Sequence, residues 1–218
     1  MLRVGLTGGI ACGKSTVGRM MMALAAAGTQ VHILDADRVA HELMQPGHPV
    51  YQQVVQAFGQ GILRDDAVGT IDRAKLAEIA FGKPGAGGGR VQELNRLVHP
   101  AVIACQDGWM DEIGSRDPHG IAVVEAALMF ESGAAGRFDK VVTVTCDLEQ
   151  RILRWAARQN VDQETAGAEV RRRMAAQWPD DKRAAASDYV IDNSGGLPAT
   201  EAAVQRLMKE LQRLSFPP

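Results

Sequence analysis

Short hydrophobic runs recur along the chain and alternate with stretches of helix-forming composition. Each run is compatible with a β-strand and is bounded by polar or glycine-rich residues. The runs are residues 2–7, 31–34, 121–124, 141–145 and 189–191. Hydrophobic strands separated by helices predict an α/β fold in which helices cover both faces of a five-stranded parallel sheet.

Polar residues follow the hydrophobic runs at the predicted carboxyl ends of the strands. Gly8 and Gly9 follow the first run, Asp35 follows the second and Glu125 follows the third. Parallel sheets bind ligands along the edge where their strands end. We therefore expect the chemistry of this protein at that edge.

Two stretches depart from the strand and helix alternation and are predicted to be insertions in a single domain spanning residues 1–218. Residues 38 to about 115 contain helical patterns at 50–58 and 73–81 and a glycine-rich loop at 84–89. Residues 148 to about 186 are helical and rich in arginine.

Composition excludes several classes of protein. The 24 basic and 26 acidic residues leave a formal net charge of −2, which gives no global attraction to nucleic acid or to an anionic membrane. No segment approaches the roughly 20 apolar residues of a membrane span, and the N-terminus lacks a signal-peptide pattern. We expect a cytoplasmic protein without nucleic-acid or membrane partners. The three cysteines form no metal-binding spacing, and Cys105 and Cys146 are predicted to be small packing residues.

Residues 8–15, Gly-Gly-Ile-Ala-Cys-Gly-Lys-Ser, match the phosphate-loop pattern G-x-x-x-x-G-K-[ST]. The loop follows a predicted strand and precedes a predicted helix over residues 14–27, which Gly28 would end. Glycines let backbone N–H groups point at phosphate oxygens, and the N-terminal end of the helix adds positive charge. Lys14 is expected to neutralise the β- and γ-phosphates, and Ser15 to place its hydroxyl on Mg²⁺. The loop residues expected to bind the nucleotide are Gly9, Ala11, Cys12, Gly13, Lys14, Ser15 and Thr16.

The chain has no Asn-Lys-x-Asp motif for recognising guanine, which argues against a GTPase. The segment Asp35-Ala36-Asp37 instead favours a kinase. At the end of the second strand, one carboxylate of this pair can bind an acceptor hydroxyl and take its proton. The other carboxylate can organise Mg²⁺ through water. The alternative is structural: Asp35 caps the next helix, and Asp37 is a solvated residue of its first turn.

Further candidates for binding are cationic. Arg154 and Arg158 lie four residues apart on one helix face, with Arg151 three residues before Arg154, and such arginines can converge on a transferring phosphate. The alternative is a solvated basic face paired with nearby carboxylates. His99, before Pro100, is either a substrate-binding residue or part of a helix-ending turn in which the backbone satisfies its ring.

The loop together with Asp35-Ala36-Asp37 resembles the dephospho-CoA kinase family. Further segments match that family in order along the chain: Leu94-Asn95 with His99-Pro100, Leu128-Met129-Phe130-Glu131, Gln177, and Val190-Ile191-Asp192-Asn193. The resemblance implies a three-layer P-loop kinase fold and the ATP-dependent phosphorylation of the ribose 3′-hydroxyl of dephospho-CoA, with Mg²⁺. It implies that residues 38–115 bind CoA and that residues 148–186 form the lid.

The resemblance also implies roles for single residues. Asp37 corresponds to the general base, Lys14 to the phosphate-binding lysine, and Ser15 to the hydroxyl on the metal side. Arg154 and Arg158 correspond to lid arginines, and Asn193 to a residue near the adenine. The chain departs from the family at three sites. Cys12 introduces an oxidisable side chain in the loop, and Ala127 stands where a proline usually precedes the family's Leu-Leu-Phe-Glu segment. After Gln177 the family's Arg-Glu-x-Arg is replaced by Asp180-Asp181-Lys182-Arg183, which lacks the first arginine.

Two other functions stay open from the residues alone. A P-loop kinase of another small alcohol, such as shikimate or gluconate, would use the same loop and aspartates. A nucleotide-dependent switch would use the loop to present ATP-bound and ADP-bound states to a partner. In each case we expect a monomer or a weak homo-oligomer.

Overall fold

The computed structural model describes residues 1–25, 29–82 and 89–216. The chain forms two compact units: residues 1–35 together with 110–218, and residues 36–109. The predicted insertion spans residues 38–115, whereas the second unit ends at residue 109, so residues 110–115 belong to the first unit.

The first unit is built on a parallel sheet whose strands are β1 (Leu2–Gly8), β2 (Val31–Asp35), β3 (Ile121–Glu125), β4 (Lys140–Thr145) and β5 (Tyr189–Asp192). Their spatial order is β2-β3-β1-β4-β5, and all neighbouring pairs are parallel. The five-stranded parallel sheet predicted from the hydrophobic runs is confirmed. Asp35, Glu125 and Asp192 are the last residues of their strands, so their side chains lie at the carboxyl edge.

The helices, in chain order, are α1 (Lys14–Ala23), α2 (Ala36–Leu43), α3 (Pro49–Phe58), α4 (Arg73–Phe81), α5 (Val91–Arg116), α6 (Leu148–Gln159), α7 (Gln163–Ala175), α8 (Asp180–Ala185) and α9 (Leu197–Ser215). Short 3₁₀ segments lie at Gln60–Ile62 and Ala134–Arg137. Helix α1 ends at Ala23, so the predicted extent to residue 27 is wrong; residues 26–28, with the predicted C′ glycine, lie outside the described residues. None of the helices within the described ranges is long and apolar enough to cross a membrane.

The core of the first unit joins the sheet to α1 and α9. Val4 and Leu6 of β1 are fully buried, as are Val17 of α1 and Leu211 of α9. A central parallel strand is buried on both faces, and every residue of β1 except Arg3 is buried. The tightly packed sheet gives the loop that follows β1 a rigid base.

The second unit is helical, as the sequence predicted for this stretch. Helices α3 and α4 coincide with the patterns at 50–58 and 73–81. Asp72 caps α4 by accepting hydrogen bonds from the N–H groups of Ala74 and Lys75. The Arg90 guanidinium lies 4.4 Å from the ring centroid of Phe58. Most of the predicted glycine-rich loop, residues 84–88, lies outside the described residues.

Helix α5 corrects the interpretation of His99-Pro100 as a helix-ending turn, because the helix runs through Pro100 to Arg116. A proline inside a helix removes one backbone hydrogen bond and destabilises the helix by about 3 kcal/mol. Val98 and Val102, two residues before and after Pro100, are both buried. Burial of this apolar face stabilises the helix enough to offset the lost hydrogen bond.

The cysteines differ from their predicted environments. Cys146 is buried, as expected of a packing residue, but Cys105 is exposed on α5, so the prediction for Cys105 is wrong. The Cys12 side chain is fully buried in the core of the first unit. Burial shields the Cys12 thiol from oxidants, so the oxidation risk inferred from its place in the loop does not apply to the folded state.

Candidate active site

The phosphate loop lies at the carboxyl end of β1, between the ends of β3 and β4 at the centre of the sheet. Gly8 and Gly13 have φ values of 151° and 94°. Neither site accommodates a side chain: a methyl group on Gly8 would overlap the carbonyl oxygen of Val144, and one on Gly13 would overlap the amide of Asn193. Gly13 leads directly into α1, so the positive end of this helix faces the loop.

The Lys14 side chain folds back over the loop. Its Nζ donates to the carbonyl oxygens of Gly8 and Gly9, at 3.1 and 3.5 Å. These are weak acceptors compared with phosphate oxygens, and an ammonium group carries three donors. Lys14 can therefore exchange these carbonyl contacts for a phosphate without leaving its position.

Ser15 is bonded to a carboxylate that the sequence analysis did not assign to the site. Its Oγ donates to Oε1 of Glu125 at 2.7 Å. Glu125 ends β3 and is paired in register with Asp35 at the end of β2. The only sequence signal for Glu125 was its position after a hydrophobic run, which it shared with several other residues.

A hydroxyl and a carboxylate side by side provide the oxygen ligands that Mg²⁺ prefers. Within residues 1–25, 29–82 and 89–216 there is no cluster of three or more histidine, cysteine or carboxylate side chains that could enclose a metal. Mg²⁺ commonly binds through one or two protein ligands together with nucleotide phosphates and water. Ser15 and Glu125 fit that kind of site.

Asn193 and Arg154 both bind the phosphate loop at the carbonyl oxygen of Cys12. Asn193 is 1% exposed; its Nδ2 donates to the carbonyl oxygen of Cys12 at 2.8 Å, and its Oδ1 accepts from Thr200. Arg154 donates from Nη1 to the same Cys12 oxygen at 3.3 Å and from Nη2 to the Asn193 carbonyl at 2.9 Å. These contacts hold the Cys12 carbonyl in one orientation.

Residues of the predicted lid also contact the loop. The Ile10 N–H donates to Oε1 of Gln177 at 3.1 Å. The Arg158 guanidinium lies 4.7 Å from the ring centroid of Trp155, and Arg173 lies 4.6 Å from the same centroid. Arg154 thus contacts the phosphate loop directly, whereas Arg158, four residues later, is exposed and stacks on an aromatic ring.

Two buried arginines lie beside the start of the loop. Arg151 and Arg183 each have side chains that are only 1% exposed. A methyl group on Gly9 would overlap Nη1 of Arg151 and would lie 3.2 Å from Nη1 of Arg183. From the sequence, Arg151 was distinguished only by its spacing from Arg154. Arg183 corresponds to the second arginine of the family's Arg-Glu-x-Arg segment.

Two carboxylates hold this arginine pair. Asp180 forms ion pairs with both guanidinium groups: with Arg151 through Oδ2, and with Arg183 through Oδ1 at 3.1 Å. Glu131 accepts from Nη2 of Arg183 at 3.1 Å and from the Trp178 N–H at 2.7 Å. Arg151 also donates from Nε to the Cys146 carbonyl at 2.7 Å. Asp180, where the chain departs from the family pattern, is thus part of an ionic cluster with Arg151, Arg183 and Glu131.

Two predicted site residues belong to the second unit. Asp37 is exposed in the first turn of α2, two residues after Asp35 ends β2. His99 is half-buried within α5, and burial lowers the pKa of its ring below the usual value. A lowered pKa favours the neutral imidazole, which offers one donor and one acceptor for binding.

Comparisons with known proteins match almost the whole chain to a single family. The family model for dephospho-CoA kinase matches residues 2–199. The dephospho-CoA kinase of Moorella thermoacetica is 38% identical over 213 residues, which cover 98% of this chain and 93% of the relative. That of Corynebacterium glutamicum is 37% identical over 211 residues, covering 97% of this chain and 98% of the relative.

Solved structures show the same fold. A crystal structure from Thermus thermophilus is 28% identical, with a TM-score of 0.73, and the match covers 96% of this chain and 97% of that one. The dephospho-CoA kinase from Campylobacter jejuni is 22% identical, with a TM-score of 0.65 and 98% coverage of both chains. The P-loop kinase fold is therefore shared over at least 96% of this chain.

Proposed function

The chain belongs to the dephospho-CoA kinase family, and from this premise we propose how its residues carry out the reaction. It is an ATP-dependent kinase that converts dephospho-CoA to CoA, the final step of CoA biosynthesis. In the proposed step, the ribose 3′-oxygen forms a bond to the γ-phosphorus of ATP. The bond from that phosphorus to the β–γ bridging oxygen breaks, ADP leaves with the electron pair, and the hydroxyl proton passes to a base.

The match of the family model to residues 2–199 carries this proposal, since it spans both the phosphate loop and the predicted lid. The geometry of the loop supports it. Glycines with positive φ at residues 8 and 13 let the loop turn sharply, and α1 begins directly after Gly13, so the positive end of this helix is placed to bind phosphate oxygens.

Lys14 and Ser15 are the loop side chains proposed to act on the phosphates. Lys14 would exchange its carbonyl contacts for oxygens of the β- and γ-phosphates. Ser15 and Glu125 would hold Mg²⁺, which when bound neutralises part of the charge on the phosphates. The remaining nucleotide-binding residues in the proposal are Gly9, Ala11, Cys12, Gly13, Thr16, Arg158 and Asn193, with Asn193 near the adenine.

The proposed acceptor site uses the aspartate pair. Asp37 would take the proton of the 3′-hydroxyl, because a sugar hydroxyl is a poor nucleophile without a base within hydrogen-bond reach. Asp35, in register with Glu125, would bind substrate and organise Mg²⁺ through water. Residues 38–115, including His99, would bind the CoA part of the substrate.

The lid is proposed to be residues 148–186, with Arg154 acting on the transferring phosphate. Arg154 already contacts the loop at Cys12, and a planar guanidinium suits the oxygens of a phosphoryl group. We expect a monomer or weak homo-oligomer in the cytoplasm that needs no nucleic-acid partner, consistent with the net charge of −2.

Analysis of the product formed from ATP and dephospho-CoA tests this function. Purified protein with Mg²⁺ is expected to yield ADP and a compound whose mass and phosphorus NMR spectrum identify a 3′-phosphate. Shikimate and gluconate serve as competing acceptors in parallel reactions. A product from either of them, with none from dephospho-CoA, would favour a different alcohol kinase. The absence of multiple turnover with all three acceptors would favour a nucleotide-dependent switch.

A further inference from the structure

The ionic cluster beside Gly9 contains one arginine without an assigned function. Arg151 is almost completely buried in the first turns of α6, yet its three nitrogen atoms face different groups. Nε binds the Cys146 carbonyl and Nη2 binds Asp180. Nη1 faces Gly9 of the phosphate loop and takes part in neither of these hydrogen bonds.

A buried guanidinium is costly unless its charge is paired and its donors are satisfied. Asp180 supplies this pairing for Arg151 and, through its other oxygen, for Arg183. Arg183 is likewise incompletely bonded, since its Nε is buried without a partner in the described part of the chain. The cluster therefore keeps two cations fixed beside the loop while leaving unbonded N–H donors on both of them.

The formal charges of the cluster also leave room for an anion. Arg151 and Arg183 are balanced by Asp180 and Glu131, and Lys14 is bonded to the carbonyl oxygens of Gly8 and Gly9. Phosphate oxygens bound in the loop would bring negative charge next to Lys14 and the unbonded donors. In a site with little water, fixed donors stabilise such charge without having to reorganise.

We propose that Arg151 is an additional phosphate-binding cation of this enzyme, and that Asp180 is the positioning residue that holds it. Nη1 of Arg151 donates to an oxygen of the β- or γ-phosphate of ATP and stabilises the charge that develops as the γ-phosphoryl group is transferred. The chain lacks the first arginine of the Arg-Glu-x-Arg segment after Gln177, and the aspartate in its place, Asp180, anchors a cation supplied by α6. This inference rests on the proposed function for its transfer step, but not for its binding step.

Nucleotide binding tests the inference without the acceptor. We expect Arg151→Gln to weaken binding of ATP more than that of ADP and to leave AMP unchanged, as measured by titration calorimetry. Arg151→Lys, which keeps the charge but loses the planar fork, is expected to fall between Arg151→Gln and the unchanged protein. Arg213→Gln is the matched control, because it removes an ion-paired arginine that is 75% exposed on α9. The control is expected to bind all three nucleotides within about twofold of the unchanged protein.

Single-turnover transfer to dephospho-CoA tests the catalytic part. Loss of one fixed donor to a developing charge lowers the rate by about 10²-fold, the value expected for Arg151→Gln. Asp180→Asn is expected to lower the rate less, and the double variant Arg151→Gln with Asp180→Asn to match Arg151→Gln within about threefold, because Asp180 acts through Arg151. The double variant removes the charges of Arg151 and Asp180 together and leaves Arg183 paired with Glu131, so it is expected to fold even if the single variant does not.

Three results would overturn the inference. The first is a folded Arg151→Gln protein that binds ATP and transfers phosphate within about twofold of the unchanged protein. The second is equal weakening of ATP, ADP and AMP with a lowered Tm, which would show that Arg151 only anchors α6 to α8. The third is a double variant much slower than Arg151→Gln. If the unchanged protein does not phosphorylate dephospho-CoA, the proposed function fails, while the ratio of ATP to AMP affinities still decides the role of Arg151.

Discussion

At the scale of single residues, the carbonyl oxygens of the phosphate loop are bound by cationic or amide side chains. Lys14 binds the carbonyls of Gly8 and Gly9, and Asn193 and Arg154 bind that of Cys12. A peptide whose oxygen is held on one side presents its N–H on the other. The side chains around the loop therefore help to arrange the donors that an anion needs.

Lys14→Ala is expected to abolish transfer while leaving the fold intact. Lys14 is the loop side chain able to offset the charge of the β- and γ-phosphates, and it contacts the loop only through two exchangeable carbonyl bonds. Steady-state turnover with ATP and circular dichroism would test this. A purified variant with near-normal turnover would show that this loop is not the nucleotide site.

Asp37→Asn is expected to retain ATP binding and to lower the rate of transfer. The amide keeps the size and shape of the carboxyl group but cannot take the hydroxyl proton. A positioned general base contributes roughly 10²- to 10⁴-fold, and the lower end is expected because phosphoryl transfer proceeds through a loose transition state. Single-turnover transfer to dephospho-CoA at saturating Mg²⁺ is the measurement.

Asp35→Asn is the matched comparison for Asp37. If Asp35 organises Mg²⁺, raising the metal concentration should partly relieve its defect, whereas the defect of Asp37→Asn should persist. An Asp37→Asn enzyme within about threefold of the unchanged protein would remove the base assignment. Positioning by Lys14 and the lid would then account for most of the rate.

At the scale of elements, the loop and the predicted lid are already in contact. Gln177, between α7 and α8, accepts from the Ile10 N–H, and Arg154 on α6 donates to the Cys12 carbonyl. A phosphate oxygen is a stronger acceptor for a loop N–H than a neutral side-chain amide. A bound nucleotide would therefore compete with Gln177 for the Ile10 N–H and change the hydrogen bonding of the predicted lid.

Arg154→Ala is expected to lower kcat more than it weakens ATP binding. The guanidinium contacts a loop carbonyl in this structure, so in the proposed role it would bind phosphate oxygens only after these hydrogen bonds change around the bound substrates. Steady-state kinetics with Arg158→Ala as the paired variant would test this. An unchanged kcat with a raised KM would contradict the catalytic role of Arg154.

Helix α7 contains an acid-sensitive pair of interactions. Glu169 accepts from Arg172 and Arg173, and these hydrogen bonds lower its pKa to about 2 from the usual 4.5. A depressed folded-state pKa gives stability that is present above the unfolded pKa and is lost as the pH falls through the folded value. Both arginines are substantially exposed, so solvent screening limits the stabilisation to about 1 kcal/mol.

Glu169→Gln is therefore expected to destabilise the protein by about 1 kcal/mol at neutral pH, and by progressively less as the pH falls from 4.5 towards 2. Urea unfolding at a series of pH values measures the difference. Glu112→Gln is the control, since its pair with Arg116 at 3.4 Å is exposed and is expected to contribute little at any pH. A Glu169→Gln difference that does not depend on pH would contradict the ionic explanation.

At the scale of the whole molecule, ligand binding should be visible as stability. A ligand at 100 times its Kd that binds only the folded state stabilises it by about 2.7 kcal/mol. For a chain of this size each kcal/mol raises Tm by about 2 to 4 °C, so saturating ATP is expected to raise Tm by roughly 5 to 11 °C. Differential scanning calorimetry with and without ATP is the measurement. An equal rise in the Lys14→Ala variant would show that ATP stabilises the protein at another site.

The sequence by itself determined the parallel sheet, the phosphate loop and its place at the end of β1. These features depend on local properties: hydrophobic runs that suit strands buried on both faces, glycines that permit positive φ, and a lysine and serine at the start of a helix. Asp35, Glu125 and Asp192 were also placed to within one residue of the strand ends. Local patterns were sufficient because each strand, and the loop after β1, lies within a few consecutive residues, and parallel pairing follows from the alternation of such strands with helices.

The tertiary structure alone decided which residues meet. Ser15 binds a carboxylate 110 residues away, and Asp180 holds an arginine 29 residues away, at distances for which sequence spacing carries no signal. Helix α5 continues through Pro100, although the local preference there is to end a helix. In each case contacts between distant segments outweigh local preference, because burial and ion pairing depend on the folded surroundings rather than on sequence neighbours.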